Sequence, residues 1–289
     1  MKRTALKIGY IGTNFHGFQR QPNLRTIEEE LINTLQRLEY FGDLKKARFR
    51  IAGRTDKGVH SLGNVISFQS EKEVLVNQIN TNLPDDIQIL GKAPVRFGFK
   101  PRYAQMRQYR YILFDSDLNM DLLHQCANIF KGTHNFINFS KREQKTPIRT
   151  IEDIKISTPL FNEDVKFKNN NLTSLTNSCS PIFIDIFGES FLWNMVRKMM
   201  RIFVLVGKEK LSLDQVENLL NPKINEEKAC IKVMNADQLI LMNIQYDNIN
   251  FIKDDYAIER FKRILIKNLL NYQRNYSLTE SIINSLNDI

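Results

Sequence analysis

Cysteine is scarce in this 289-residue chain: Cys126, Cys179 and Cys230 stand far apart, with no CxxC spacing. An odd, scattered set cannot close a disulfide framework, so the three read as reduced and structural. Histidine is almost as thin, at four residues (His16, His60, His124, His134). They form neither HExxH nor a Cys/His cluster, and no metal is expected. No run of about 18 apolar residues is present to span a bilayer. The opening MKRTALKIGY has Lys2 and Arg3 but no apolar stretch behind them, so it does not read as a secretory signal. A cytoplasmic chain with no membrane partner is therefore expected. No glycine-rich nucleotide or methyl-donor loop occurs, and no organic cofactor is expected. What remains is an ordinary globular composition, 42% hydrophobic and 25% charged, which excludes a disordered or fibrous chain.

Charge is the first positive feature. Lys and Arg number 41 against 32 Asp and Glu, a net charge of +9, which favours a polyanionic partner, nucleic acid first among them. The abundance of Asn, Ile and Lys also fits an AT-rich genome, which raises lysine without any function.

Local patterning gives an α+β chain. Leu6, Ile8 and Tyr10 alternate with Lys7 and Gly9, the period-two mark of a strand. After a short loop, Thr26 with Glu29 forms a capping-box pattern, and Ile27, Leu31, Leu35 and Leu38 recur at helical spacing. Strands around 49–51 and 64–69, a helix over 71–82 and a strand at 87–90 complete a β-α-β-β-α-β order, the ferredoxin-like pattern. The second half repeats the plan more loosely. Strands are expected at 106–114, 151–157, 164–167, 181–187 and 239–246, with helices at 120–130 and 190–206. In the second of these helices Phe191, Met195, Met199, Ile202 and Val206 share one face. Ser212 with Gln215 is a further capping box, 168–180 reads as a loop, and the chain from 254 onward reads as a polar helical tail. The expected division is 1–104, 105–248 and a tail of 249–289.

The segment GRTDKGVHS, 53–61, carries the sharpest chemical signal. A carboxylate, Asp56, sits between glycines on a turn linking two strands, where a planar substrate can approach the backbone closely. Arg54 puts a positive charge beside it and favours the ionised form. An ionised carboxylate in an enclosed site serves as nucleophile or base; a TDxG turn standing alone equally suits an Asx-turn. In the strand 107–111 the period of two places Arg107, Tyr109 and Tyr111 on one face. No acid occurs from Ile87 to Phe114, while Lys92, Arg96, Lys100, Arg102, Arg107 and Arg110 do, a candidate phosphate-binding strip. Alternating tyrosines also suit plain cross-strand packing. Arg197 and Arg201, one helical turn apart, suit snorkelling surface charges as well as an inward role.

GRTDKGVHS resembles the active-site motif of the tRNA pseudouridine synthases of the TruA family. Other segments resemble that family in its own order: FHGFQRQP (15–22) followed by TIEEEL, NLPDDI (82–87), RQYRYIL (107–113), GTHNFINF (132–139), TPIRTI (146–151) and SFLWNMVRKM (190–199). Together they span about 7–246. The chain departs from the family where Tyr10, Ile11 and Gly12 replace the common YDG, and where Ala236, Asp237, Gln238 and Leu239 replace a PEGL-like stretch. The FLWNMVR wording is closer to archaeal and eukaryotic members than to the bacterial HHMVR form.

The resemblance implies the pseudouridine-synthase fold, two ferredoxin-like halves joined through a continuous, mainly antiparallel sheet around a basic cleft. It implies isomerisation of uridine to pseudouridine in tRNA, at positions 38 to 40 of the anticodon stem-loop, by a homodimer without a cofactor. Asp56 takes the place of the catalytic aspartate, Tyr109 that of the tyrosine that stacks on the target base and assists loss of the C5 proton, and Arg197 that of the arginine paired with the aspartate. Candidate RNA contacts are Arg54, Lys57, His60, Phe18, Gln19, Arg20 and Arg107. Asp56 can attack C1′, add to C6, or remove the C2′ proton, and all three routes stay open. An RNA-binding protein that has lost turnover, and an RNA hydrolase or deaminase using Asp56 as base, are the other classes. Intact Asp56, Tyr109 and Arg197 argue against the first, and the lack of metal ligands or a His/Glu partner motif argues against the second.

Overall fold

A computed structural model describes residues 1–115, 117–140, 146–158, 181–222 and 228–286. The strand expected at 164–167, the loop 168–180 and Cys179 lie outside the described residues.

In chain order the elements are β1 (Lys2–Tyr10), α1 (Ile27–Arg37), β2 (Arg50–Ile51), β3 (His60–Ser70), α2 (Val76–Asn82), β4 (Ile87–Pro94) and β5 (Met106–Leu113). There follow α3 (Met120–Phe130), β6 (Gly132–Asn135), β7 (Ile148–Ser157), β8 (Ile182–Gly188), α4 (Met195–Gly207), α5 (Leu213–Leu220), β9 (Leu239–Gln245), β10 (Ile252–Lys253) and α6 (Asp255–Leu286). Among the described residues the strands form one ten-stranded sheet in the order β10-β4-β1-β3-β9-β5-β8-β7-β6, with β2 on the flank of β3. Every pairing is antiparallel except β3 with β9, which run parallel through His60↔Ile240 and Ser61↔Leu241. That short parallel seam is where the sheet of the first half continues into the sheet of the second.

Apolar burial follows the sequence periods. Leu6, Ile8 and Tyr10 of β1 pack with Ile27, Leu31 and Leu35 of α1 and Ile79 of α2, all at most 1% exposed. On the other side of the same strands Ala5 and Val65 pack with Phe99, Leu241 and Tyr246. The largest cluster joins α3 and α4 to β5 and β8 through Phe130, Met199, Phe203, Tyr111 and Ile184. Burial of this kind stabilises by about 25 cal/mol per Å² of apolar surface, so the sheet is a rigid platform for the loops at its seam.

Several expectations about helix ends need correction. The capping box at Ser212 and Gln215 forms. At α1 it does not: the Thr26 hydroxyl is buried without a hydrogen-bond partner among the described residues. The loop before the helix takes over the role, since Ile27 N–H donates to the Gly17 carbonyl and Glu28 N–H to the Phe18 carbonyl, satisfying donors that a helix start leaves orphaned. α2 begins at Val76 rather than 71, and α4 at Met195 rather than 190. The residue before α4, Asn194, has φ 64°, a left-handed turn that asparagine tolerates better than most residues and that sets 190–194 at an angle to the helix. The tail is the 32-residue α6, buried only at Ala257 and Phe261. No helix among the described residues is long and apolar enough to cross a membrane.

Candidate active site

Asp56 lies in the loop between β2 and β3, and buried polar groups fix that loop from beneath. The Tyr10 hydroxyl and Thr55 Oγ1 share a 2.8 Å hydrogen bond, and Asn64 Nδ2 donates to Tyr10 Oη at 3.1 Å and to the Gly53 carbonyl at 3.2 Å. Burial raises the Tyr10 pKa well beyond its ordinary value, so it stays a neutral phenol. Phe18 N–H donates to the Thr55 carbonyl at 3.0 Å and Val59 N–H to the Asp56 carbonyl at 3.2 Å. The loop after β1 presses against this turn so closely that a Cβ on Gly12 would stand 2.1 Å from the Val59 carbonyl oxygen; only glycine fits there. Gly58, at φ +86°, closes the turn.

The carboxylate itself is held from the other half of the chain. Arg197 Nη1 donates to Asp56 Oδ2 at 3.1 Å, and Trp193 Nε1 donates to Oδ1 at 2.9 Å. Arg197 is itself fixed, with Nε on the Met234 carbonyl at 2.7 Å and Nη1 on Asn194 Oδ1 at 3.3 Å. The helix behind it supplies the rigidity: Met195, Met199, Met200 and Phe203 are fully buried, so α4 cannot shift without opening the core. The Asp56 side chain remains 31% exposed, open to a ligand although both its oxygens have a partner.

Tyr109, on β5, meets Phe191 edge to face at 5.1 Å between ring centroids. Burial, opposed by Arg107 and reinforced by the negative charge of Asp56, pushes its phenol up to about 12, so at neutral pH it is a protonated hydroxyl. The pairing of β5 with β9 shifts register between Gln108 and Tyr109. Such an irregularity re-aims a side chain.

An aspartate, a tyrosine and an arginine drawn from three separate segments thus meet at one seam. The family model for tRNA pseudouridine synthase matches residues 126–247. Over all 289 residues the chain is 66% identical to tRNA pseudouridine synthase A of Methanobrevibacter smithii, covering 99% of that protein. The chain belongs to the tRNA pseudouridine synthase A family. It is 39% identical to the tRNA pseudouridine synthase A of Methanothermobacter thermautotrophicus over 100% of this chain and 98% of that one. For that of Thermococcus sibiricus the identity is 38%, over 98% of this chain and 100% of the other. As a member of this pseudouridine synthase family the protein is an isomerase.

Within this synthase the other expected contacts separate into two groups. Arg54, Lys57, Gln19 and Arg20 are exposed. Arg54 does not supply the charge beside Asp56 that its position in the sequence suggested; the ion pair is with Arg197. Phe18 is 0% exposed and belongs to the core, so it has no surface to offer RNA. Arg107 is 9% exposed, and its guanidinium is spent on the carbonyls of Glu189, Ala52 and Arg102. His60 has both ring nitrogens engaged: Gly12 N–H donates to Nδ1 at 3.1 Å, which leaves the proton on Nε2, 3.1 Å from the Asp237 carbonyl. These three are structural ties. The basic strip divides likewise. Lys92 donates to the Val74 carbonyl and Arg110 pairs with Asp185 at 2.7 Å, whereas Arg96, Lys100 and Arg102 are exposed.

Two participants escaped sequence reasoning. Trp193 lies in the segment quoted for Arg197, and its being the chain's one tryptophan was the available signal. The stretch 234–238, of which only 236–238 is marked in the sequence, as part of the departure at 236–239 from the family wording, holds Arg197 through Met234, His60 through Asp237, and the Tyr111 hydroxyl through Asn235 and Gln238.

Proposed function

We propose that this protein converts uridine to pseudouridine in tRNA, at positions 38 to 40 of the anticodon stem-loop, with Asp56 as the nucleophile or base. The observation that carries the reading is the Asp56 carboxylate, anchored on Arg197 and still open to a ligand. The reaction breaks the C1′–N1 bond, forms C1′–C5, moves the C5 proton away and leaves a proton on N1. It needs no redox partner and no group donor. A carboxylate aligned by one cation suits each of the three routes, attack at C1′, addition at C6 or abstraction at C2′. The base must leave its stack to reach Asp56, at a cost of a few kcal/mol. Exposed Arg54 is the group proposed either to occupy the space the base vacates or to meet the phosphate of the flipped nucleotide.

Tyr109 contributes an aromatic face for the base and a hydroxyl that enters the reaction protonated, so any proton it takes from C5 must be matched by loss of its own. Exposed cations and rings of the first half favour RNA. Arg48, Arg50, Arg54, Lys57, Lys100 and Arg102 are exposed, and a groove of about 300 Å³ has three cations, Arg50, Lys100 and Arg102, and one acid, Glu28, in its lining beside Tyr103. Tyr103 and Phe97, 73% and 60% exposed, carry Lys100 and Arg48 against their rings. Exposed rings beside cations are the ingredients of base stacking. The active species is proposed to be a homodimer, which light scattering of the purified chain tests directly.

The deciding experiment is pseudouridine mapping on a tRNA transcript incubated with purified protein. Wild type forms pseudouridine within positions 38 to 40. Asp56→Ala forms none while its tRNA affinity stays within a few-fold, because affinity rests on phosphate contacts. Turnover by Asp56→Ala removes Asp56 from the chemistry, and modification elsewhere in the tRNA removes the proposed site.

A further inference from the structure

A carboxylate swings about two side-chain bonds, and one ion pair leaves the Asp56 plane free to rotate about the line from Asp56 to Arg197. The second donor removes that freedom. Trp193 Nε1 meets Oδ1 at 2.9 Å while Arg197 Nη1 meets Oδ2 at 3.1 Å, so each oxygen has its own donor and the plane of the carboxylate is defined. Both donors flank one turn, the start of α4, where Asn194 adopts φ 64° and accepts from Arg197. Phe191, two residues before Trp193, packs its ring on Tyr109 at 5.1 Å. The segment 191–197 therefore touches the proposed base-stacking tyrosine and both oxygens of the proposed catalytic carboxylate.

Trp193 is not a core residue that happens to pass nearby. It is 43% exposed, in a molecule whose largest buried rings lie elsewhere, so packing alone does not account for a tryptophan there. We infer that Trp193 is a positioning residue: its indole N–H fixes the carboxylate plane of Asp56, so that the lone pairs left over point at the reacting carbon. The inference rests on the reading of Asp56 as catalytic. Its chemistry is a hydrogen bond only, with no covalent step. The cost of losing it falls on the rate, since a misaligned carboxylate still admits the RNA but meets the sugar or base at a poor angle.

Geometry supplies a discriminating pair of substitutions. In the five-membered ring of tryptophan Nε1 stands two bonds from Cγ, which is also where histidine has Nε2. Trp193→His in the Nε2–H tautomer therefore returns a donor to nearly the same place, whereas Trp193→Phe keeps an aromatic ring and removes the donor. On tRNA transcript under single-turnover conditions, Trp193→Phe is expected to slow pseudouridine formation by about ten-fold or more, with tRNA Kd within about two-fold of wild type. Trp193→His is expected to recover most of the lost rate. A second readout is independent of turnover. Trp193 is the chain's one tryptophan, so fluorescence reports its indole alone, and Asp56→Ala is expected to shift the RNA-free emission maximum without changing the circular dichroism.

A Trp193→Phe enzyme with the wild-type rate overturns the inference. So does a loss of tRNA affinity as large as the loss of rate, which makes Trp193 an RNA contact, and so does failure of Trp193→His to exceed Trp193→Phe. Identical emission from wild type and Asp56→Ala shows that the hydrogen bond is absent in solution, and this holds even if Trp193→Phe fails to fold. Turnover by Asp56→Ala overturns the reading of Asp56 instead, and the emission shift then still decides whether the bond exists.

Discussion

The two halves of the chain treat Asp56 differently. The first half fixes its backbone: Tyr10, Thr55, Asn64 and the Phe18 amide tie the loop to the sheet with buried hydrogen bonds, and none of these groups touches the carboxylate. The second half meets the end of that loop at Val59 and His60, and it alone reaches for the oxygens, through Arg197 and Trp193 at the start of an apolar helix. One half sets where the acid is and the other sets how it faces. A site divided this way separates stability from alignment, and substitutions on the two sides should fail in different ways.

After loss of the carboxylate itself in Asp56→Ala, the largest effect is expected from Arg197→Met. It removes the ion pair and unties Met234 but keeps an apolar stem of similar length. A fall in single-turnover rate of about 100- to 1,000-fold is expected, the usual cost of losing one preorganised charged partner, with a melting temperature close to wild type because the pair is partly open to water. A rate within ten-fold of wild type would mean that the second half contributes little to alignment.

The opposite failure is expected from Tyr10→Phe. The ring still fills its place among Leu6, Ile8 and Phe18, but Thr55 Oγ1 and Asn64 Nδ2 each lose a buried partner, a destabilisation of about 1–3 kcal/mol. Urea unfolding should show the loss, and the rate at a temperature where the variant is folded should change by less than the Arg197→Met rate. Equal rate losses for the two variants would erase the distinction between the halves.

Much of this was legible in the sequence, and the failures have physical causes. Strand alternation in β1 and the helical spacing of Ile27, Leu31 and Leu35 gave the right elements because each has one clear apolar face. The α1 cap departs from the local pattern, which favours Thr26, because two loop carbonyls, those of Gly17 and Phe18, are brought in by tertiary contact and take the donors. Phe18 and Arg107 were misassigned for the same reason, since nothing local tells whether a side chain beside a functional motif faces the solvent or the core. The start of α4 was placed too early because Phe191 keeps the helical period while Asn194 breaks the helix. Trp193 depended on a contact 137 residues away in sequence, beyond any periodicity.

A smaller effect concerns the tie between the halves at His60. Burial holds its pKa below the ordinary value, opposed by the Asp237 carbonyl. The folded chain therefore binds this proton less readily than the unfolded chain, whose histidine titrates near about 6.5. Stability from this group is present above about pH 6.5 and is lost as pH falls through the folded value. Protonation would place a second N–H on Nδ1, where it opposes the Gly12 amide. His60→Asn can keep an acceptor for Gly12 and does not titrate, so its melting temperature should fall less between pH 7 and pH 5 than that of wild type. Parallel curves would show that other groups govern the acid side.

The smallest effects separate charges that lie within a few residues of one another. Arg102 is exposed beside the groove that holds Lys100 and Tyr103, whereas Arg107 is buried on three carbonyls, one of them that of Arg102. If Arg102 neutralises a phosphate, its loss cancels one counterion release, and the slope of log affinity against log salt becomes shallower by nearly one unit. Lys100→Ala should act alike, and the two together should approach twice the change. Arg102→Ala leaves the carbonyl that accepts from Arg107 in place, so the melting temperature should hold. Arg107→Ala should do the reverse: three carbonyls lose a buried partner, the protein becomes less stable, and the salt slope of the folded protein keeps its wild-type value. Filter binding of one tRNA transcript across a salt series, with melting curves on the same preparations, reads both quantities. An unchanged slope for Arg102→Ala with Lys100→Ala would leave these charges as a solvated face, and a shallower slope for Arg107→Ala would return that buried guanidinium to the RNA.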